Sequence, residues 1–135
     1  MKQLINLALA LSALLLVQAA SAQAFDEFSG HETFQRFCAS CHGTGGEGDG
    51  PVASGLPLPV PDLTTLKSRY ADDYDARLLR KIIEGDEAVI YHGTRYMPVW
   101  GYEFWVEEGA DDAAAERVET IVANLIEHID SIQDE

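Results

Sequence analysis

At 135 residues the chain has the length of one domain. Its 23 Asp and Glu against 9 Lys and Arg give a formal charge of −14, which excludes a nucleic-acid phosphate backbone as a partner. Acidity of this kind bears on solubility and on steering towards basic surfaces, and the presence of only two cysteines excludes a disulfide scaffold.

The first residues read as a targeting segment. Lys2 supplies a minimal positive region, Leu4 to Val17 is apolar apart from Asn6 and Ser12, and Ala20-Ser21-Ala22 has the small residues of a cleavage site. A signal peptide over residues 1–22 is expected, with Ala24 as a second cleavage point, leaving residues 23–135 as a single domain. The apolar run is shorter than the roughly 20 residues that cross a bilayer, so membrane attachment is expected only if the segment stays uncleaved. Export places Cys38 and Cys41 in an oxidising compartment, where they must be disulfide-bonded, joined to a cofactor, or reactive.

Phe25, Phe28, Phe34 and Phe37 are spaced as one helical face, and Ser29 with Glu32 makes a capping box. A first helix from Gly30 to Cys41 follows. It runs into Cys38-Ala39-Ser40-Cys41-His42, a CxxCH pentapeptide that reads as a covalent haem attachment site. Two thioethers need thiols one helical turn apart, and the histidine beside the second reaches the iron. A zinc site would need a fourth ligand from His31, His92 or His128, none of which sits at zinc-like spacing; a redox pair would need a βαβ context that is absent.

Residues 43–48 match GxGxxG, but no strand precedes them and Pro51 closes them, so a dinucleotide site is rejected and a loop close to the haem is expected. Pro57, Pro59 and Pro61 favour an extended strip able to line an apolar wall with Leu56, Leu58 and Val60. Asp62 or Thr64 is suited to cap a short turn through Leu66. Asp75 caps a second helix, with Leu78, Leu79, Ile82 and Ile83 at helical spacing and Gly85 as its stop. Residues 86–102 lack periodicity and read as a loop. Asp111 or Asp112 then opens the strongest helix, with Val118, Ile121, Val122, Leu125, Ile126 and Ile129 on one face. No strand is required.

A sixth ligand for the iron should come from a loop. Met97, the only methionine beyond the leader, lies in Gly93-Thr94-Arg95-Tyr96-Met97-Pro98-Val99-Trp100-Gly101. Thioether ligation would raise the reduction potential and close the iron to substrates; His92, five residues away, is the competing ligand and would lower it. Arg69, Tyr70, Arg95, Tyr96 and Trp100 are the available donors to haem propionates, with Arg95 and Trp100 preferred.

Taken together, Gly30, Phe34 and Cys38 at intervals of four, the run Cys-Ala-Ser-Cys-His-Gly, Gly50-Pro51 and Met97-Pro98-Val99-Trp100-Gly101 resemble the class I c-type cytochromes, in particular small exported bacterial ones. The resemblance covers Gly30 to Ile129. It implies an all-α, cytochrome c-like fold of three main helices around one covalent haem c, with Cys38 and Cys41 as attachment points and His42 and Met97 as axial ligands. It also implies that the Pro51 carbonyl accepts the Nδ1 proton of His42. One departure stands out: Val122-Ala123-Asn124-Leu125 lacks the aromatic that the family often places on its last helix, so Leu125 or Ile121 would have to supply that contact.

The expected function is one-electron transfer in the periplasm by a monomer, between protein donors and acceptors with basic contact surfaces and without catalysis. Two other roles remain open. One is a haem-c subunit of a larger oxidoreductase, with Tyr102 to Val106 as a contact or as packing. The other is a peroxidase or gas sensor if Met97 leaves the iron free.

Overall fold

The computed structural model describes residues 29–85 and 97–134. The expected signal segment lies outside the described residues, as do His92, Arg95 and Tyr96. Among the described residues there is no strand, and no helix is long and apolar enough to cross a membrane.

The first helix, α1, has three parts that run on without a break: Gly30–Thr33 is α-helical, Phe34–Cys38 is π-helical and Ala39–His42 is α-helical again. Ser29 caps it, its Oγ accepting the N–H of Glu32 at 3.2 Å. Two α-helices follow, α2 over Leu66–Tyr70 and α3 over Ala76–Glu84. Asp75 caps α3 through the N–H of Leu78 at 2.8 Å, and Gly85 ends it in the left-handed conformation. After α4, Trp100–Glu107, the long helix α5 spans Asp112–Ser131, capped by Asp111 through the N–H of Ala114 at 2.7 Å. The three main helices and their caps stand where the sequence expects them.

Helix α4 is a correction in part, since its first three residues fall in 86–102, which read as loop, and no helix was expected over the rest. Trp100-Gly-Tyr-Glu-Phe-Trp-Val-Glu carries four aromatic residues, a glycine and a valine, all of weak helix propensity, and Val99 offers no capping side chain. Packing supports the helix instead. Phe104 is 2% exposed, Trp100 stacks on it at 5.5 Å, and Arg117 of α5 binds both the carboxylate and the carbonyl of Glu108 at the helix end.

Helices α1, α3 and α4 all pack on α5. At the core lie Phe34, Val122 and Leu125, each 1% exposed or less. The crossing of α1 and α5 is close enough that a Cβ on Gly30 would run into the carbonyl of Asn124, so this position takes glycine for want of space. The aromatic contact missing at Asn124 is supplied one turn later. His128 meets Phe34 edge-on with ring centroids 5.1 Å apart, and meets His31 at the same distance. Leu125, expected to stand in for the ring, is buried in the same core cluster as Phe34, with Ile121 packed against it, so the aromatic part of the contact falls to His128.

Candidate functional site

The helices enclose a cavity of about 450 Å³, a size typical of cofactor pockets. Phe37, Cys38, Cys41 and His42 of α1 form one wall, and the proline strip adds Leu56, Leu58 and the run Pro59 to Pro61. Leu66 of α2 and Leu79, Ile82 and Ile83 of α3 extend the apolar lining. Met97, Pro98 and Trp100 also face it, with Leu125 and Ile129 from α5. Leu58 and Pro98 line the cavity and are exposed, so its apolar wall reaches the surface.

The structure therefore brings Cys38, Cys41, His42, Met97 and Trp100 to one cavity, although Met97 lies 55 residues beyond His42 in the chain. Both thiols are free, Cys38 buried and Cys41 partly so. Burial, and secondarily the neighbouring Cys41, pushes the Cys38 thiol up to about 12. The π-helical turn lies immediately upstream: the N–H of Ala39 reaches back five residues to the carbonyl of Phe34, a widening that recurs at functional sites.

His42 is 8% exposed, and its Nδ1 lies 3.1 Å from the carbonyl oxygen of Pro61. A carbonyl cannot donate, so Nδ1 carries the proton and Nε2 keeps the lone pair that a metal requires. The orienting carbonyl is thus that of Pro61 and not, as the resemblance implied, that of Pro51. The glycine-rich segment explains the difference. It folds tightly behind His42, with the N–H of Gly48 on His42 O at 2.8 Å and that of Gly50 on Cys41 O at 3.1 Å. The chain then passes outward, pinned by Val52 N–H on Ser40 O at 3.1 Å, and Pro51 is exposed. It returns to the imidazole only at the end of the proline strip.

That segment also differs from expectation in what its glycines meet. None of residues 43–55 lines the cavity. At Gly48, with φ +81°, a Cβ would press on the backbone of Val60 and Pro61, so the close approach is to the strip that carries the orienting carbonyl and not to a cofactor. The strip itself behaves as expected, Leu56, Leu58 and Val60 all facing the cavity.

Of the expected propionate partners, Arg69, Tyr70 and Trp100 line the cavity, while Arg95 and Tyr96 lie outside the described residues. The Arg69 guanidinium donates to the Asp62 carbonyl. The Asp62 carboxylate is held below the usual range, chiefly by the hydroxyl of Thr64. Trp100 contributes an aromatic wall, stacked on Phe104 and edge-on to Phe37 at 5.7 Å. Sequence reasoning missed Pro61 as the orienting group; its signal was its place as the third proline of the strip, where the extended chain ends beside His42.

Two thiols one turn apart, an adjoining imidazole anchored through its Nδ1 and an apolar chamber are the donor set and surroundings of a covalently held haem. A family model described as Cytochrome C oxidase, cbb3-type, subunit III matches residues 26–115. No curated protein and no solved structure matches the chain.

Proposed function

Because the chain belongs to this family of c-type cytochromes, we propose that it is an exported, periplasmic one-electron carrier with His42 and Met97 as axial ligands. Members of the family carry covalently bound haem c and transfer electrons between redox proteins. In this chain Cys38 and Cys41 would hold the group, which supplies an iron able to change oxidation state by one electron. No protein group makes or breaks a bond to substrate. The residues hold Nδ1–H of His42 on Pro61, exclude water with the leucine and isoleucine lining, and keep the ligands fixed so that little reorganisation accompanies the change of charge. Leu58 and Pro98 at the cavity's edge offer the apolar border at which a partner would approach, and the acidic surface favours a basic one.

The observation that carries this reading is the convergence of Met97 on the cavity that also receives Cys38, Cys41 and His42. Visible spectra of the ferric protein test it. A methionine-to-iron charge-transfer band is expected in the wild type and should vanish in Met97→Ala; absence of the band, or its survival in the variant, would refute methionine ligation.

A second reading, as a permanent subunit of an oxidoreductase, draws support from the family description and from α4. There Phe104 packs inward, while Tyr102 and Val106, one turn apart, are 60% and 46% exposed. Purification at high salt separates the two: a free carrier leaves the column alone, and a subunit keeps its complex.

A further inference from the structure

The end of the chain reaches back to the strip that orients His42. Beyond α5, the Nε2 of Gln133 donates to the carbonyls of Leu63 at 2.7 Å and Ile129 at 2.8 Å, while its Oε1 accepts the N–H of Lys67 at 3.0 Å. The N–H of Asp134 donates to Thr64 O at 2.8 Å. Thr64 is tied in turn to Asp62 Oδ1, by its hydroxyl at 2.6 Å and its N–H at 2.8 Å, and the N–H of Leu63 is held by Gly46 O at 2.6 Å.

Pro61 has no N–H of its own. The direction of its carbonyl is therefore set by the residues that follow it, and the peptide of Leu63 is gripped from both sides, by Gly46 and by Gln133. A glutamine suits the place because three backbone groups need two donors and one acceptor, which only an amide supplies at that reach.

We propose that Gln133 is a positioning residue for His42, holding the strip whose Pro61 carbonyl accepts the Nδ1 proton and so setting the orientation and basicity of the imidazole. The inference rests on His42 as the proximal ligand, as proposed above. A firm Nδ1–H···O bond makes the imidazole a stronger donor to the metal; loosening it weakens the donor and raises the reduction potential.

The experiment compares three variants of the purified holoprotein with the wild type. Gln133→Glu keeps the shape but reverses both donors, and Gln133→Ala removes the group. Val118→Ala damages α5 about 20 Å along the helix from Gln133, at a buried residue that does not line the cavity. Deuterium exchange of the His42 Nδ1 proton is followed by NMR, and reduction potentials are measured alongside. Both Gln133 variants should exchange about five- to tenfold faster, as expected for the loss of one hydrogen bond, with a higher potential, while Val118→Ala shows neither change at equal loss of stability. Unchanged exchange and potential in the folded Gln133 variants, or an equal change in Val118→Ala, would reduce Gln133 to a helix-end clamp and overturn the proposal. Wild-type ferric protein lacking iron-shifted His42 ring resonances would overturn the axial reading beneath it, an outcome distinct from a Gln133 variant that leaves those resonances in place and unmoved.

Discussion

His128 stands edge-on to Phe34 where the first and last helices cross, so an ionisable ring occupies the place of a neutral aromatic. Its Nε2 is buried with no hydrogen-bond partner among the described residues, and burial, then the charge of nearby His31, holds its pKa below the ordinary 6.5. Because the folded value is depressed, the unfolded chain takes up the proton first as pH falls. Stability should be fully present above about pH 6.5 and decline below it, levelling once the folded value is passed. Thermal unfolding between pH 7.5 and 5 should show this slope in the wild type and a flatter one in His128→Phe; parallel slopes would remove His128 as the cause.

Gly30→Ala should be costly although alanine is the better helix former. The new Cβ meets the Asn124 carbonyl and, at 2.9 Å, the Cβ of His128, neither being the far end of a flexible side chain. Overpacking of this kind costs about 1–3 kcal/mol, measurable as a lower denaturant midpoint. A stabilised variant would show that the helices separate freely at this point.

Leu125 is 1% exposed, lies in the core cluster with Phe34 and lines the cavity. Leu125→Ala should destabilise the protein by about 2–5 kcal/mol. A loss under about 1 kcal/mol, within the range of surface changes, would mean that the cavity wall collapses to fill the gap.

Cys38→Ala leaves one thiol on the cavity. The haem should remain attached through Cys41 alone, and the alkaline pyridine spectrum of the ferrous protein should shift to longer wavelength, as one vinyl group stays conjugated. The double replacement Cys38→Ala, Cys41→Ala should lose the group to acidic organic extraction. Retention of the haem in that variant would exclude thioether attachment at this pentapeptide.

What could be read in the sequence follows the range of the forces involved. Helix α5 was legible because its six apolar positions repeat at one period, and the caps Ser29, Asp75 and Asp111 were legible because each acts within three residues of itself. The pentapeptide and Met97 stood out by residue type and spacing, and the fold brings them to one cavity. Helix α4 was not, since its residues are held by Phe37, Arg117 and the rest of α5, all distant in sequence. The choice of Pro61 over Pro51 depends on how tightly the glycines before them turn, and the replacement of the helix-crossing aromatic by His128 depends on a crossing that only the folded chain defines.

The π-helical turn over Phe34–Cys38 carries a consequence for how this chain tolerates changes of length. A widened turn is one residue longer than an α-helical one, so deleting a single residue there lets the backbone relax into an unbroken α-helix. The later residues of α1 would then keep their direction relative to Gly30, because the bond from Ala39 N–H to Phe34 O shortens from five residues to four without losing its partners. The thiols and imidazole would stay on the cavity, whereas the same deletion in the α-helical turn Gly30–Thr33 would swing them about 100° away, so two neighbouring edits of equal size should differ sharply in whether the haem is still held.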